Sequence, residues 1–139
     1  MADYSYGRMG FARFYALVFG IAYIGVAILE LFFPESDPLR IGDTVLLQRT
    51  LLQNIIHFAI GIVLLGSFFA GEAAARGVAR ILGIVFLALT IWGFAAPDSL
   101  GTFLGYDGDI PVVYNVVHAV SAVVALLAGF AGSRRPATA

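Results

Sequence analysis

An asparagine followed three positions later by a histidine occurs twice in this sequence. The copies are Asn54-Ile-Ile-His57 and Asn115-Val-Val-His118, 61 residues apart. Residues three apart share one face of a helix, so each copy would offer an amide and an imidazole to the same neighbour. An imidazole can ligate a metal or a haem iron, or transfer a proton, and an amide can orient it through the second ring nitrogen.

Both copies lie in long apolar segments that contain few polar residues. A polar side chain inside a membrane span is costly and usually faces the interior of the helix bundle. Glu30 is a carboxylate in such a segment, and the other polar residues of the apolar segments are Gln53, Ser67, Thr90 and Ser121. One carboxylate and two imidazoles are therefore the main ionisable groups that could meet inside a bundle.

The composition indicates the elements that position these groups. Of the 139 residues, 60% are hydrophobic and 12% are charged, whereas a soluble domain is about half apolar and a quarter charged. About 20 mostly apolar residues cross a membrane as a helix, and four such runs occupy residues 11–33, 51–70, 78–96 and 112–131. We predict an all-α fold, a four-helix transmembrane bundle that forms one integral membrane domain over residues 1–139.

The two halves of the sequence share further features. Arg13 lies near the start of the first span and Arg80 near the start of the third, and each of these spans ends at a proline. Each half crosses the membrane out and back, which predicts two tandem parallel two-helix repeats about an axis along the membrane normal. His57 and His118 are each the seventh residue of their span, which places both about 9 Å from the helix end.

These features resemble a family of small bacterial four-helix membrane proteins known as DUF4383. The resemblance rests on the four spans, the arginine that opens each odd span and the paired Asn-x-x-His, and it covers residues 11–131. It implies architecture only, since the family brings no established activity. The second half departs from the first where Ala122 matches Gly61 and where no residue matches Glu30.

The distribution of charge predicts the orientation in the membrane. Six arginines are on the side of the termini (Arg8, Arg13, Arg76, Arg80, Arg134 and Arg135), against Arg40 and Arg49 on the other side. Basic residues in short loops favour the cytoplasm, so we expect a multi-pass protein of the plasma or bacterial inner membrane with both termini in the cytoplasm. The acidic loops then face outward as solvated connections.

The function that we expect is that of a small, non-enzymatic membrane protein, an accessory subunit or scaffold of a membrane complex. The sequence contains no cysteine and no recognisable catalytic motif. In this hypothesis Asn54 and Asn115 bond across helices, and the histidines pair with each other, with water or with Glu30. Such contacts are worth about 0.6 kcal/mol each, so they fix helix register more than they stabilise the bundle.

Two alternatives assign chemistry to the same residues. In the first, the protein binds a ligand, for which haem b is one candidate, with His57 and His118 as axial ligands and Asn54 and Asn115 as orienting groups. In the second, Glu30 and the two histidines form a path for protons or small solutes.

Arg13 and Arg80 suggest the partners of the chain. Their guanidinium groups are expected to reach lipid phosphates, with docking of an anionic lipid or a partner protein as the alternative. Membrane lipids, a larger complex or a second copy of the chain are the expected partners. A nucleic acid is not expected, because the sequence has no basic patch.

Overall fold

The computed structural model describes residues 9–34 and 36–131. Arg8, Glu35, Arg134 and Arg135, which contribute to the predicted orientation, lie outside the described residues. The elements in chain order are α1 (Phe11–Glu30), β1 (Leu39–Ile41), β2 (Thr44–Leu47), α2 (Leu51–Ala70), α3 (Glu72–Ala95), α4 (Pro97–Leu104) and α5 (Val112–Phe130).

Within these residues, α1, α2, α3 and α5 are long and apolar enough to cross a membrane, which confirms the predicted fold class. The helix ends differ from the predicted spans by more than one residue in two places. Helix α1 ends at Glu30, and residues 31–33 form a turn. Helix α3 begins at Glu72, because the alanine-rich segment after Gly71 favours a helix and the chain reverses at Gly71, whose φ is 108°.

The four long helices pack as two close pairs, α1 with α2 and α3 with α5. Glycines bring the helices of each pair together: Gly20 of α1 lies against Leu65, and Gly83 of α3 lies against Leu126. Helix α3 also contacts α1 and α2, whereas α2 and α5 make at most marginal contact within the described residues. The helices that carry the two Asn-x-x-His motifs are therefore separated by a gap.

One end of the bundle, which we call the loop end, is formed by residues 36–50 and 96–111. Strands β1 and β2 form an antiparallel hairpin there, and α4 buries Leu100 and Leu104 together with Ile110. The acidic composition of these loops predicts solvated connections, but the structure gives both loops regular elements. Apolar residues between the acidic ones provide the buried side of α4.

The opposite end, the terminal end, is formed by residues 10–13, 68–76 and 128–131. Glu72 of α3 accepts hydrogen bonds from the backbone N–H groups of Ala12 (3.2 Å) and Arg13 (3.0 Å) at the start of α1. Its Oε1 also accepts a bond from Arg76 Nε at 3.1 Å. A carboxylate at the positive end of a helix dipole is stabilising, and here it belongs to a different helix.

The packing of α3 on α5 predicts opposite effects for two identical substitutions in α3. A Cβ at Gly83 would lie 2.7 Å from Leu126 Cγ and 3.0 Å from its backbone nitrogen, whereas a Cβ at Gly77 would have no atom within 4 Å. We expect Gly83→Ala to destabilise the protein by about 1–3 kcal/mol through overpacking. Gly77→Ala should stabilise it by up to about 1 kcal/mol through helix propensity. Thermal unfolding in detergent measures both, and equal effects would contradict the described α3–α5 contact.

Candidate functional site

Glu30, the last residue of α1, is at the centre of a polar cluster at the loop end. Its side chain is 0% exposed. Asn54 Nδ2 donates to Glu30 Oε2 (3.0 Å) and to the carbonyl of Ala27 (2.8 Å), and Gln53 Nε2 lies 3.4 Å from Glu30 Oε1. His57 Nδ1 is 2.8 Å from the same oxygen. The first Asn-x-x-His motif is thus fixed by a buried carboxylate on the neighbouring helix.

His57 Nδ1 approaches Glu30 Oε1 without the alignment of a hydrogen bond, and the two groups form an ion pair only when the imidazole is protonated. The distance is short, but Nδ1 does not meet the direction required of a ring N–H donor. The His57 side chain is 17% exposed, so one edge of the imidazole remains accessible. A protonated imidazole here would balance the charge of the carboxylate.

Hydrogen bonds continue from this cluster to the loop end. Gln53 Oε1 accepts a hydrogen bond from the hydroxyl of Tyr106. The hydroxyl of Thr50, the residue before α2, donates to the carbonyl of Leu104 at 2.6 Å and accepts from Gln53 N at 3.2 Å. These bonds attach α4 and the segment after it to the start of α2.

Among the described residues, no carboxylate contacts the second Asn-x-x-His motif. The offset of 63 residues that relates Gly20 to Gly83 also relates Glu30 to Gly93. The side chain of Asn115 lies against Gly93, so closely that a Cβ there would be 1.9 Å from Asn115 Oδ1. Among the described residues, Asn115 Oδ1 and His118 Nδ1 are buried without a hydrogen-bond partner. The predicted repeat stays a prediction, but at this position the two halves clearly differ.

A cavity of about 460 Å³ lies between the four long helices at the loop end. Its polar lining residues include Glu30, His57 and His118, and most of its wall is apolar. Leu46 and Leu47 of β2, Phe103 and Leu104 of α4, and Ile110 line it on the side of the loops. The gap between α2 and α5 therefore holds an apolar chamber with both histidines in its wall.

An aromatic series connects the two histidines. The ring of Tyr23 lies 5.6 Å from His57 and stacks on Phe86 at 6.0 Å, and Phe86 stacks on His118 at 6.0 Å. A haem held by both histidines needs both imidazoles to face one iron from opposite sides. The haem hypothesis stays a prediction, and it requires Tyr23 and Phe86 to leave the positions beside the imidazoles.

The proton-path hypothesis also stays a prediction. The structure brings Glu30 and His57 into contact and places His118 on the same cavity. Toward the terminal end, the buried cluster consists of small or apolar residues such as Ala12, Ala16 and Leu64, together with Tyr15. This packing does not favour a continuous polar path.

Arg13 and Arg80 lie far from this cavity, near the terminal end, and each contacts the last turn of a neighbouring helix. Arg13 Nε donates to the carbonyl of Phe68 at 3.1 Å, and its Cζ lies 4.9 Å from the centre of the Phe68 ring. Arg80 Nε donates to Gly129 O at 2.8 Å, with Cζ 4.9 Å from the Phe130 ring. Both side chains therefore stabilise the negative ends of α2 and α5, rather than extending only toward lipid.

Sequence reasoning missed several residues of the cavity wall, above all Tyr23, Phe86 and Tyr114. Signals for two of them exist in the spacing. Tyr23 is seven residues before Glu30 and Tyr114 is four before His118, so each shares a helix face with an ionisable residue. Phe86 has no such signal, since α3 carries no ionisable residue in this region.

The comparison with known protein families gives a match over more than half of the chain. A family model described as a domain of unknown function (DUF4383) matches residues 41–131, well over half of the chain. The matched range contains both Asn-x-x-His motifs, and Glu30 lies before it. No curated protein and no solved structure gives a significant match. By the extent of the match, this multi-pass membrane protein belongs to the DUF4383 family.

Proposed function

We propose that this protein binds a small amphipathic molecule inside the membrane, in the cavity between α1, α2, α3 and α5. One observation carries the proposal: an apolar cavity of about 460 Å³ into which Glu30, His57 and His118 converge. Small-molecule sites are typically of about 300–1,000 Å³, with mostly apolar walls and a few polar groups that orient the ligand.

Exposed residues of the cavity wall support access from the lipid. Val85, Phe103 and Val117 line the cavity, and each is between 44% and 54% exposed. Val85 of α3 and Val117 of α5 are on membrane-spanning helices, where an exposed apolar side chain faces lipid. A lipid-soluble molecule would therefore reach the cavity sideways without crossing a polar surface.

The charges at the two ends support an outward position for the cavity. Arg13, Arg76 and Arg80 are at or near the terminal end, and the loop end carries five aspartates (Asp37, Asp43, Asp98, Asp107 and Asp109) with Arg40 and Arg49. By the positive-inside rule, the terminal end faces the cytoplasm and the cavity lies in the outer half of the membrane. A reporter enzyme fused within residues 36–49 should then be active only outside the cytoplasm.

The test is to identify molecules that the purified protein retains. The protein is extracted in mild detergent and analysed by native mass spectrometry beside Val113→Phe and Val116→Phe. Val113 is half-buried in the cavity wall, whereas Val116 is 48% exposed on the same helix and does not line the cavity. We expect a bound small molecule in the wild type and in Val116→Phe, and its loss in Val113→Phe.

Other outcomes would contradict the proposal. Equal retention by all three proteins would show attachment outside the cavity, and retention by none would remove the binding function. An absorbance spectrum with a Soret band, lost in His57→Ala and His118→Ala, would establish haem instead. The accessory-subunit role stays a separate prediction, tested by co-purification of a larger complex.

A further inference from the structure

We propose that the bound molecule is a long-chain carboxylic acid whose carboxylate pairs with His118. The inference rests on the proposed binding function and specifies the chemical class of its ligand. The observation behind it is an asymmetry: within the described residues, a carboxylate contacts the imidazole of His57 and none contacts that of His118.

The surroundings of His57 show that a carboxylate can lie beside an imidazole in this cavity. His57 Nδ1 lies 2.8 Å from Glu30, and Asn54 and Gln53 donate to the same carboxylate. Both oxygens of Glu30 are thus engaged by the protein. The amide donors on this side are already bonded to Glu30, so a ligand carboxylate, which can only accept, would bind on the α5 side of the cavity.

On α5, three polar atoms are buried without an aligned hydrogen bond to the described residues: the Tyr114 hydroxyl, Asn115 Oδ1 and His118 Nδ1. Asn115 Oδ1 can only accept and lies against Gly93, so the groups that could donate to a ligand are His118 Nδ1 and the Tyr114 hydroxyl, which lies near the backbone of Gln48 and the side chain of Tyr106. Tyr114 and His118 are four residues apart on one face of α5, and both line the cavity. A carboxylate has two acceptor oxygens, one for each of these groups.

The position that would provide such a carboxylate from within the chain is occupied by glycine. Gly93 corresponds to Glu30 by the offset that relates Gly20 to Gly83, and the side chain of Asn115 fills the space beside it. Since no carboxylate in residues 9–34 and 36–131 contacts His118, the carboxylate in this proposal belongs to a ligand that enters through the cavity.

The apolar wall explains why the head group decides selectivity. Side chains such as Phe19, Val26, Ile60 and Leu89 line the cavity and would surround an alkyl chain. A chain that moves from lipid into this wall gains little, because lipid tails are as apolar as leucine. A charge-assisted bond to an imidazole, in contrast, is strong where water is excluded.

The experiment uses the only tryptophan of the chain as a reporter. Trp92 lies 5.2 Å from Phe103, ring centre to ring centre, and Phe103 lines the cavity. The full chain is placed in nanodiscs of phosphatidylcholine, and quenching of Trp92 is titrated with bromoundecanoic acid and with bromoundecanol. We expect saturable quenching by the acid and about tenfold weaker binding of the alcohol, the effect of one charge-assisted bond.

Matched variants assign the preference to one imidazole. His118→Gln should weaken binding of the acid by about tenfold and leave binding of the alcohol unchanged. His57→Gln, whose partner is Glu30, should keep the preference for the acid. The comparison of acid with alcohol on the wild type stands even if a histidine variant does not fold.

The outcomes separate the two proposals. Equal, saturable binding of acid and alcohol would overturn the carboxylate proposal and leave the binding function in place. Quenching that rises linearly with both probes, with no retained molecule in native mass spectrometry, would overturn the binding function itself. A preference for the acid that survives in His118→Gln would assign the head group to another residue and contradict the inference.

Discussion

Replacing Glu30 by leucine is expected to lower the free energy of unfolding by about 1–3 kcal/mol or more, the cost of leaving buried hydrogen-bond donors without an acceptor. The carboxylate is 0% exposed and contacts side chains of Gln53, Asn54 and His57. Leucine fills a similar volume but leaves these polar groups facing an apolar side chain. Asn54 would keep only its bond to Ala27.

Two further variants separate the charge from the volume of this side chain. Glu30→Gln retains one acceptor oxygen, so we expect it to lose less than half as much stability as Glu30→Leu. The double variant Glu30→Leu with His57→Leu should recover part of the loss, because it removes the unpaired imidazole as well. Thermal unfolding in detergent, followed by circular dichroism, measures all three. A leucine variant as stable as the wild type would show that the cluster does not stabilise the fold.

Gly101→Ala is expected to open the loop end, with a loss of about 1–3 kcal/mol or more. A Cβ at Gly101 would lie 1.9 Å from the carbonyl oxygen of Gly108 and 2.8 Å from Ile110 N. These are backbone atoms, so no rotation of a side chain can relieve the contact. Residues 108–110 would have to move away from α4, and Ile110 would leave the cavity wall.

Gly25→Ala is the matched control for this substitution. Gly25 lies within α1, and a Cβ there has no atom within 4 Å, so we expect a change of no more than about 1 kcal/mol, toward higher stability. Limited proteolysis adds a local measurement, because Gly101→Ala should speed cleavage within residues 105–110 and Gly25→Ala should not. Equal cleavage in both variants would contradict the described packing of α4 on this loop.

The four membrane helices are predictable from sequence because a membrane span requires only sufficient length and apolar composition. About 20 apolar residues must cross the hydrocarbon layer, and this requirement does not depend on which residues touch. The positions of Asn54 and His57 on one face follow from helical spacing in the same way. Their shared contact with Glu30 depends on how α1 is rotated about its own axis. Apolar residues are distributed all around α1, so the sequence does not indicate this rotation.

The remaining features depend on contacts between distant segments. Arg13 could be assigned to lipid from sequence, but its bond to the carbonyl of Phe68 requires the end of α2 to lie beside the start of α1. The residues between the loop aspartates have the composition of an ordinary solvated connection. In the structure they form α4, which buries Leu100 completely. Phe86 joins the site only because α3 contacts both motif-bearing helices.

The hydrogen bonds from the start of α1 to Glu72 have a consequence for biosynthesis. Helix α1 is made first, yet the carboxylate that accepts the N–H groups of Ala12 and Arg13 belongs to α3. Chains are synthesised from the N-terminus, and Glu72 is the first residue of α3, so the first turn of α1 obtains this partner only after α2 and the turn that follows it have been translated. The start of α1 therefore stays uncapped until the whole first helix pair has been made.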